Sequence, residues 1–157
     1  MKRLFQIILC FLTVFMLNGC GAEKDAATPD EIARGADGSL VIPVSYFDEG
    51  VNQIDLISGD YTMQLLAHLG SDGQPKLSWN TCQVCNGSPY AYFEYQDGWL
   101  VCMNCGNVFP VDSIGGENSG CYPWPVSEYS VDETTVTVPA DAIAAMEPNF
   151  RNWRKGV

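Results

Sequence analysis

The distribution of apolar and polar residues predicts a protein built mostly of short β-strands. Residues 61–69 alternate, so that Tyr61, Met63, Leu65, Ala67 and Leu69 fall on one face of a strand. Residues 51–57 and 75–79 are further strand candidates, and a polar turn at residues 71–74 precedes the second of them. Residues 40–44 form another β-rich run, in which Pro43 suits an edge strand or a strand end.

A tight hairpin is predicted in the second half of the chain. The aromatic and β-branched runs at residues 90–95 and 99–101 are separated by Gln96, Asp97 and Gly98, and Asp-Gly between such runs is a strong hairpin signal. Residues 134–138 predict one more strand, and residues 140–146 predict at most two helical turns, closed by Pro148. The expected fold class is mostly β, a small α+β domain of short antiparallel strands. It would carry a zinc-ribbon-like hairpin flanked by C-x-x-C knuckles, and a short C-terminal helix.

The N-terminal segment is typical of an export signal. Lys2 and Arg3 precede an apolar run over residues 4–17, which is too short for a comfortable membrane span. The run ends Leu17-Asn18-Gly19-Cys20, which resembles a bacterial lipobox and would make Cys20 the diacylated N-terminus of the mature protein. We therefore expect a signal peptide at 1–19, a lipid-anchored flexible linker at 20–38 and one metal-binding domain at 39–157. The alternative is an ordinary secreted protein with a spare thiol at Cys20.

The acidic composition limits the partners of the chain. Without Lys2 and Arg3, six of the eight basic residues remain against 19 acidic residues, a net charge near −13. This charge argues against nucleic acid as a partner and against electrostatic docking on an anionic membrane. Membrane lipid is expected as a partner only through Cys20.

Five cysteines in one stretch carry the strongest chemical signal. Cys82 and Cys85 form one C-x-x-C pair, Cys102 and Cys105 form a second after sixteen intervening residues, and Cys121 follows after fifteen more. Two such turns can place four thiolates around one metal ion. We expect the two pairs as the first ligands, with Cys121 as a fifth ligand or a labile partner.

Four chemistries compete for these sulfurs. A structural zinc ribbon needs only four thiolates, and an iron site or iron–sulfur cluster also takes four, so Cys121 is extra in both. Disulfides are normal in exported proteins but leave one of five cysteines free. Thiol redox catalysis usually places C-x-x-C at the start of a helix, whereas Asn86-Gly87-Ser88-Pro89 after Cys85 predicts a turn.

The stretch from 79 to 125 resembles the FtrD-like family of membrane-associated iron–sulfur-containing proteins. The resemblance rests on Cys82 and Cys85, on the run from Val101 to Gly106, and on Phe109, Ile114-Gly115 and Gly120-Cys121 with Pro123. A weaker likeness extends over residues 40–147. Asn80, Ser119 and Tyr122 depart from the family pattern, which has aspartate, glycine and asparagine there.

The resemblance implies a protein that handles iron or passes electrons at the outer face of the membrane. Its cofactor would be iron or an iron–sulfur cluster, with zinc as the alternative, and its partner an iron permease or a redox protein. Asn80 in place of aspartate puts in doubt any role for an acidic group beside Cys82. The other function classes considered are a structural zinc-ribbon binding module and a thiol–disulfide oxidoreductase. No pattern of catalytic residues points to a hydrolase or a transferase.

Several further residues invite a functional interpretation. His68 is expected to face solvent, with a metal role as the alternative. Met103 is expected to shield the cysteine site, with copper(I) ligation as the alternative. The aromatic residues near the cysteines are expected to pack against the hairpin: Tyr90, Tyr92, Tyr95, Trp99 and Trp124.

Overall fold

A computed structural model describes residues 32–155, and antiparallel strands dominate it. The eleven strands are β1 (Ala33–Arg34), β2 (Leu40–Pro43), β3 (Asn52–Ser58), β4 (Tyr61–Leu69), β5 (Pro75–Cys82), β6 (Phe93–Gln96), β7 (Trp99–Cys102), β8 (Val108–Pro110), β9 (Pro123–Pro125), β10 (Ser130–Val131) and β11 (Thr135–Val138). One short α-helix, α1 (Ala140–Met146), follows them. The predicted mostly-β class with a short C-terminal helix is confirmed.

The strands form three sheets. Their orders are β1-β2-β11-β10, β3-β4-β5-β9 and β6-β7-β8, and we call the second of these the central sheet. The first core lies between the first two sheets and helix α1, and it includes Met63, Leu65 and Ala67 from β4 and Ile143 from α1. Tyr61 and Leu69 also pack against this core, so the face predicted from the alternation of β4 is confirmed.

The opposite face of β4 is also covered, because a smaller second core lies beneath the three-stranded sheet. Leu66 points into it, together with Phe93 from β6, Leu100 from β7 and Ile114. Residues 63–68 are therefore all buried. Alternation along β4 identifies one buried face but cannot show that the other face is covered by a separate hairpin.

The predicted hairpin is present and is closed by its expected turn. Asp97 and Gly98 have positive φ of 47° and 90°, which the tight hairpin turn requires. The likeness to a zinc ribbon is not confirmed. The first C-x-x-C pair begins at the last residue of β5 in the central sheet, whereas the second begins at the last residue of β7 in the hairpin. Strand β1 lies in the segment predicted as linker, so the fold includes residues before 39.

The export and anchoring predictions fall outside the described residues. Both the apolar run at residues 4–17 and Cys20 lie before residue 32. Between residues 32 and 155, no helix has the length and apolarity needed to cross a bilayer.

Candidate metal centre

The two C-x-x-C pairs lie on tight turns at the ends of two strands from different sheets. Cys82 is the last residue of β5, and the turn after it brings the backbone N–H of Cys85 to 3.4 Å from the Cys82 Sγ. Cys102 is the last residue of β7, and Gly106 closes the second turn by donating its N–H to the Cys102 carbonyl at 2.8 Å. The φ of Gly106 is 73°, a conformation that favours glycine and explains the Cys-Gly pair.

The short edge strand β9 positions Cys121 beside the first C-x-x-C turn. Strand β9 pairs with β5 in a register that sets Pro123 opposite Cys82. The side chain of Gln83 fastens this segment, since its Nε2 donates to the carbonyls of Asn118 at 2.9 Å and Pro123 at 3.2 Å. Cys121, two residues before Pro123, therefore lies against the first C-x-x-C turn.

Four sulfurs form a compact group, which we call the four-sulfur set: Cys82, Cys85, Cys102 and Cys121. Their Sγ atoms all lie within 4.8 Å of one another. Cys121 is 3.1 Å from Cys82 and 3.8 Å from Cys85, and Cys102 is 3.9 Å from Cys85. Cys105 stands outside this set, with its Sγ 2.9 Å from that of Cys121.

The five thiols differ in their exposure to solvent. Cys82 and Cys102 are fully buried and belong to the second core, Cys85 and Cys121 are half-buried, and Cys105 is exposed. The sequence-based expectation placed Cys105 among the first four ligands and Cys121 outside them. The geometry groups Cys121 with the other three sulfurs and leaves Cys105 at the surface, while the choice of metal ligands stays a prediction.

The pKa values of the thiols follow the same division. Burial raises the pKa of Cys102 to about 12, and burial also raises the pKa of Cys85 and of Cys121. The hydrogen bond from Cys121 lowers the pKa of Cys105 to about 7. Cys105 thus becomes a thiolate more readily than Cys85, Cys102 or Cys121, and it is also the exposed thiol.

Hydrogen bonds join the two turns and hold the second core to the central sheet. The Ser88 hydroxyl donates to Asn104 Oδ1 at 2.6 Å, which links the first turn region to the second. The Asn80 side chain accepts the N–H of Phe93 at 2.7 Å and donates to the Phe93 carbonyl at 3.2 Å. Asn80 therefore positions the hairpin and does not present an acidic group to Cys82. This role of Asn80 was not predicted from the sequence. A polar residue in an otherwise buried strand usually indicates a side chain that hydrogen-bonds to a neighbouring element, and we call the Asn80–Phe93 pair of bonds a clamp.

The expectation that His68 faces solvent is wrong. His68 is 3% exposed, its Nδ1 donates to the Gly50 carbonyl at 2.8 Å, and its Nε2 lies 3.3 Å from Asp112 Oδ1. It is buried because the second face of β4 is covered. Over residues 32–155, the only tight group of potential metal-ligand side chains is formed by cysteines, and His68 is not part of it.

Met103 and the predicted aromatic residues are arranged differently from expectation. Met103, Tyr90, Tyr95 and Trp99 are exposed, while Tyr92 and Trp124 pack against the first core. The aromatic residues near the cysteines are instead Phe93, Phe109 and Tyr122. The rings of Phe109 and Tyr122 are 4.1 Å apart, and those of Phe93 and Phe109 are 6.2 Å apart.

The donor set and its spacing are suited to a thiophilic metal. Four thiolates bound to one tetrahedral ion through bonds of about 2.3 Å lie about 3.8 Å apart. The closest sulfur pairs within the four-sulfur set span 3.1–3.9 Å, so one ion fits with small adjustments. A cluster spreads its cysteines over several iron atoms and would require the turns to move apart.

Fold and site together define a small β-protein with a cluster of thiols that could bind a metal. The sequence profile of the family described as "Membrane iron-sulfur containing protein FtrD-like" matches residues 47–150. The chain belongs to this family, whose description associates it with membranes and with iron–sulfur chemistry. Neither a curated protein nor a solved structure matches the chain.

Proposed function

We propose that this protein is a lipid-anchored, extracytoplasmic metal-binding protein that holds iron at the four-sulfur set. It would serve as an accessory to iron uptake or to electron transfer at the membrane. The observation that carries the proposal is the convergence of Cys82, Cys85, Cys102 and Cys121 within 4.8 Å in a member of a family described as iron–sulfur-containing. A permease or a redox protein would be the partner, and Cys20 would carry the lipid.

The chain contributes three things to such a site. Its thiolates supply soft donors, which suit iron and zinc alike. The apolar second core, with Phe93 and Phe109 near the sulfurs, excludes water and so influences the reduction potential of a bound metal. The N–H of Cys85 lies 3.4 Å from the Cys82 sulfur and would donate a hydrogen bond to that sulfur when it binds a metal.

Protein purified anaerobically without chelators tests the proposal. We expect stoichiometric iron and visible absorption from sulfur-to-iron charge transfer, both lost in a Cys82→Ser, Cys121→Ser double variant. The ratio of iron to acid-labile sulfide then separates a single ion from a cluster. Wild-type protein with five freely reactive thiols and no metal would refute the proposal.

A structural zinc site is the second candidate, because the spacing of the sulfurs matches one tetrahedral ion. Under this alternative the protein is colourless, contains one zinc and has no redox activity. The metal would then only join β5, β7 and the segment that carries Cys121. Elemental analysis with a visible spectrum distinguishes the two candidates.

Thiol–disulfide exchange receives less support from the geometry. The first C-x-x-C pair follows a strand and not the start of a helix, and burial raises the pKa of Cys85. A test is the reduction of insulin by dithiothreitol with catalytic protein. Activity that Cys82→Ser abolishes would favour this function over metal binding.

A further inference from the structure

The placement of Cys105 relative to the four-sulfur set suggests a path for the metal. Cys82 and Cys102 are fully buried, so a metal ion from outside cannot meet them first. Cys105 is exposed, and its Sγ lies 2.9 Å from Cys121. Cys121 in turn lies 3.1 Å from Cys82 and 3.8 Å from Cys85. The five sulfurs thus form a continuous series of contacts from solvent to the second core.

Four thiolates complete the tetrahedral coordination of one ion, so the fifth sulfur is not needed as a permanent ligand. Cys105 lies outside the four-sulfur set but contacts Cys121 and also interacts with Cys85 and Cys102, so it is in position for associative ligand exchange. In such an exchange a new metal–sulfur bond forms before an old one breaks. The turn that carries Cys105 is exposed from Met103 to Asn107, so an external ligand can approach it.

We infer that Cys105 is the exchange ligand of this site, through which a thiophilic metal ion is loaded and released. This inference rests on the proposed metal-binding function. During loading, a bond forms between the Cys105 sulfur and the ion, and one bond from the ion to its thiolate carrier breaks. The proton of the Cys105 thiol passes to the released thiolate, and no electron is transferred. Cys121 then forms a bond to the ion as the bond from Cys105 breaks, and the Cys121 proton passes to Cys105. Cys82, Cys85 and Cys102 replace the remaining carrier thiolates in the same way, each passing its proton to the thiolate that it releases, and release follows the reverse order.

Variants at two sulfurs and one neighbour test the inference with Co²⁺ as the probe. Reduced protein is loaded with Co²⁺, and the intensity of the thiolate-to-cobalt band reports how many sulfurs bind. Transfer to an excess of a chromophoric chelator, and loading from a Co²⁺–thiol complex, give the exchange rates. The variants are Cys105→Ser, Cys105→Ala and Cys121→Ser, with Met103→Leu as an exposed control in the same turn.

We expect both Cys105 variants to keep the full band and an affinity close to that of wild type, because the loaded ion loses no bond, while both exchange rates fall by about tenfold or more, which corresponds to about 1.4 kcal/mol or more on the exchange barrier. Cys121→Ser should lose band intensity and affinity, and Met103→Leu should resemble wild type. Unchanged rates in the Cys105 variants would overturn the inference. So would loss of band intensity in them, because Cys105 would then be a permanent ligand. Wild-type protein that binds no Co²⁺ would instead refute the proposed metal-binding function and the inference with it.

Discussion

Replacing Asn80 by aspartate tests whether position 80 acts through hydrogen bonds to the hairpin. Asn80 is 0% exposed, and its Nδ2 donates to Gln64 Oε1 at 2.6 Å and to the Phe93 carbonyl at 3.2 Å. The aspartate carboxylate has no N–H to donate, so the hydrogen bonds to Gln64 Oε1 and to the Phe93 carbonyl are both lost. These two oxygens would then lie against a buried negative charge. Gln64 cannot compensate by turning its amide, because its Nε2 already donates to Asp55 at 2.6 Å.

The cost of Asn80→Asp follows from these two contacts. Leaving a buried polar group without its partner costs about 1–3 kcal/mol, so two such groups lower the free energy of unfolding by about 2–6 kcal/mol. The introduced carboxyl should also have a folded-state pKa above its unfolded value of about 3.9, since burial disfavours its charged form. The destabilisation should therefore be smallest below about pH 4 and grow as the pH rises through the folded pKa.

Urea unfolding followed by tryptophan fluorescence, in reducing buffer at several pH values, measures this effect. Asn118→Asp is a matched control, because Asn118 is exposed and the same change there should alter the free energy of unfolding by less than about 0.5 kcal/mol. If Asn80→Asp were as mild as Asn118→Asp at pH 7.5, the proposed clamp between Asn80 and Phe93 would be refuted.

Three further predictions follow from the packing and from the contacts of Asp112. Ile114→Ala should cost about 2–5 kcal/mol because Ile114 is fully buried in the second core, whereas Ile57→Ala, at a side chain 74% exposed, should cost less than about 0.5 kcal/mol; equal urea midpoints would contradict this. Trp153→Phe should cost about 1–3 kcal/mol, since it removes the 2.8 Å bond from Nε1 to the buried Asn80 carbonyl, and Trp153→Ala about 3–5 kcal/mol; thermal unfolding should rank them in that order. The N–H of Ser71, then His68, lowers the pKa of Asp112, so its contribution is present above about pH 3.9 and is lost as the pH falls. Asp112→Asn should therefore be less stable than wild type at pH 7 and approach it near about pH 3; a constant difference would contradict the linkage.

Local patterns were sufficient to predict most strands and the helix. Residues 61–69 and Ala140–Met146 were predicted with the bounds that the structure has, because each carries its own periodicity and ends at a turn or a proline. The burial of His68 could not be predicted in the same way. It depends on contacts with Gly50 and Asp112, which lie 18 and 44 residues away along the chain.

The arrangement of the cysteines was only partly predictable. The spacing of the two C-x-x-C pairs indicates that each forms a turn, but the position of Cys121 depends on β9, a Pro-Trp-Pro segment. Proline at both ends argues against a central strand, and the sequence gives little other sign that this segment pairs with β5 at an edge. That Cys121 belongs to the four-sulfur set while Cys105 lies outside it therefore depends on the tertiary structure.

The position of the sulfurs makes metal binding and packing inseparable in this protein. The second core has seven fully buried members, and two of them, Cys82 and Cys102, are also in the four-sulfur set. Because β5 and β7 belong to different sheets, a metal bound between them would hold the hairpin onto the central sheet. A small core of this kind has little apolar area with which to stabilise three short strands. The proposed metal would thus contribute to the stability of the hairpin as well as to chemistry. Under the proposed exchange, the exposed Cys105, which lies outside that core, would leave or join the metal with the least disturbance to the fold.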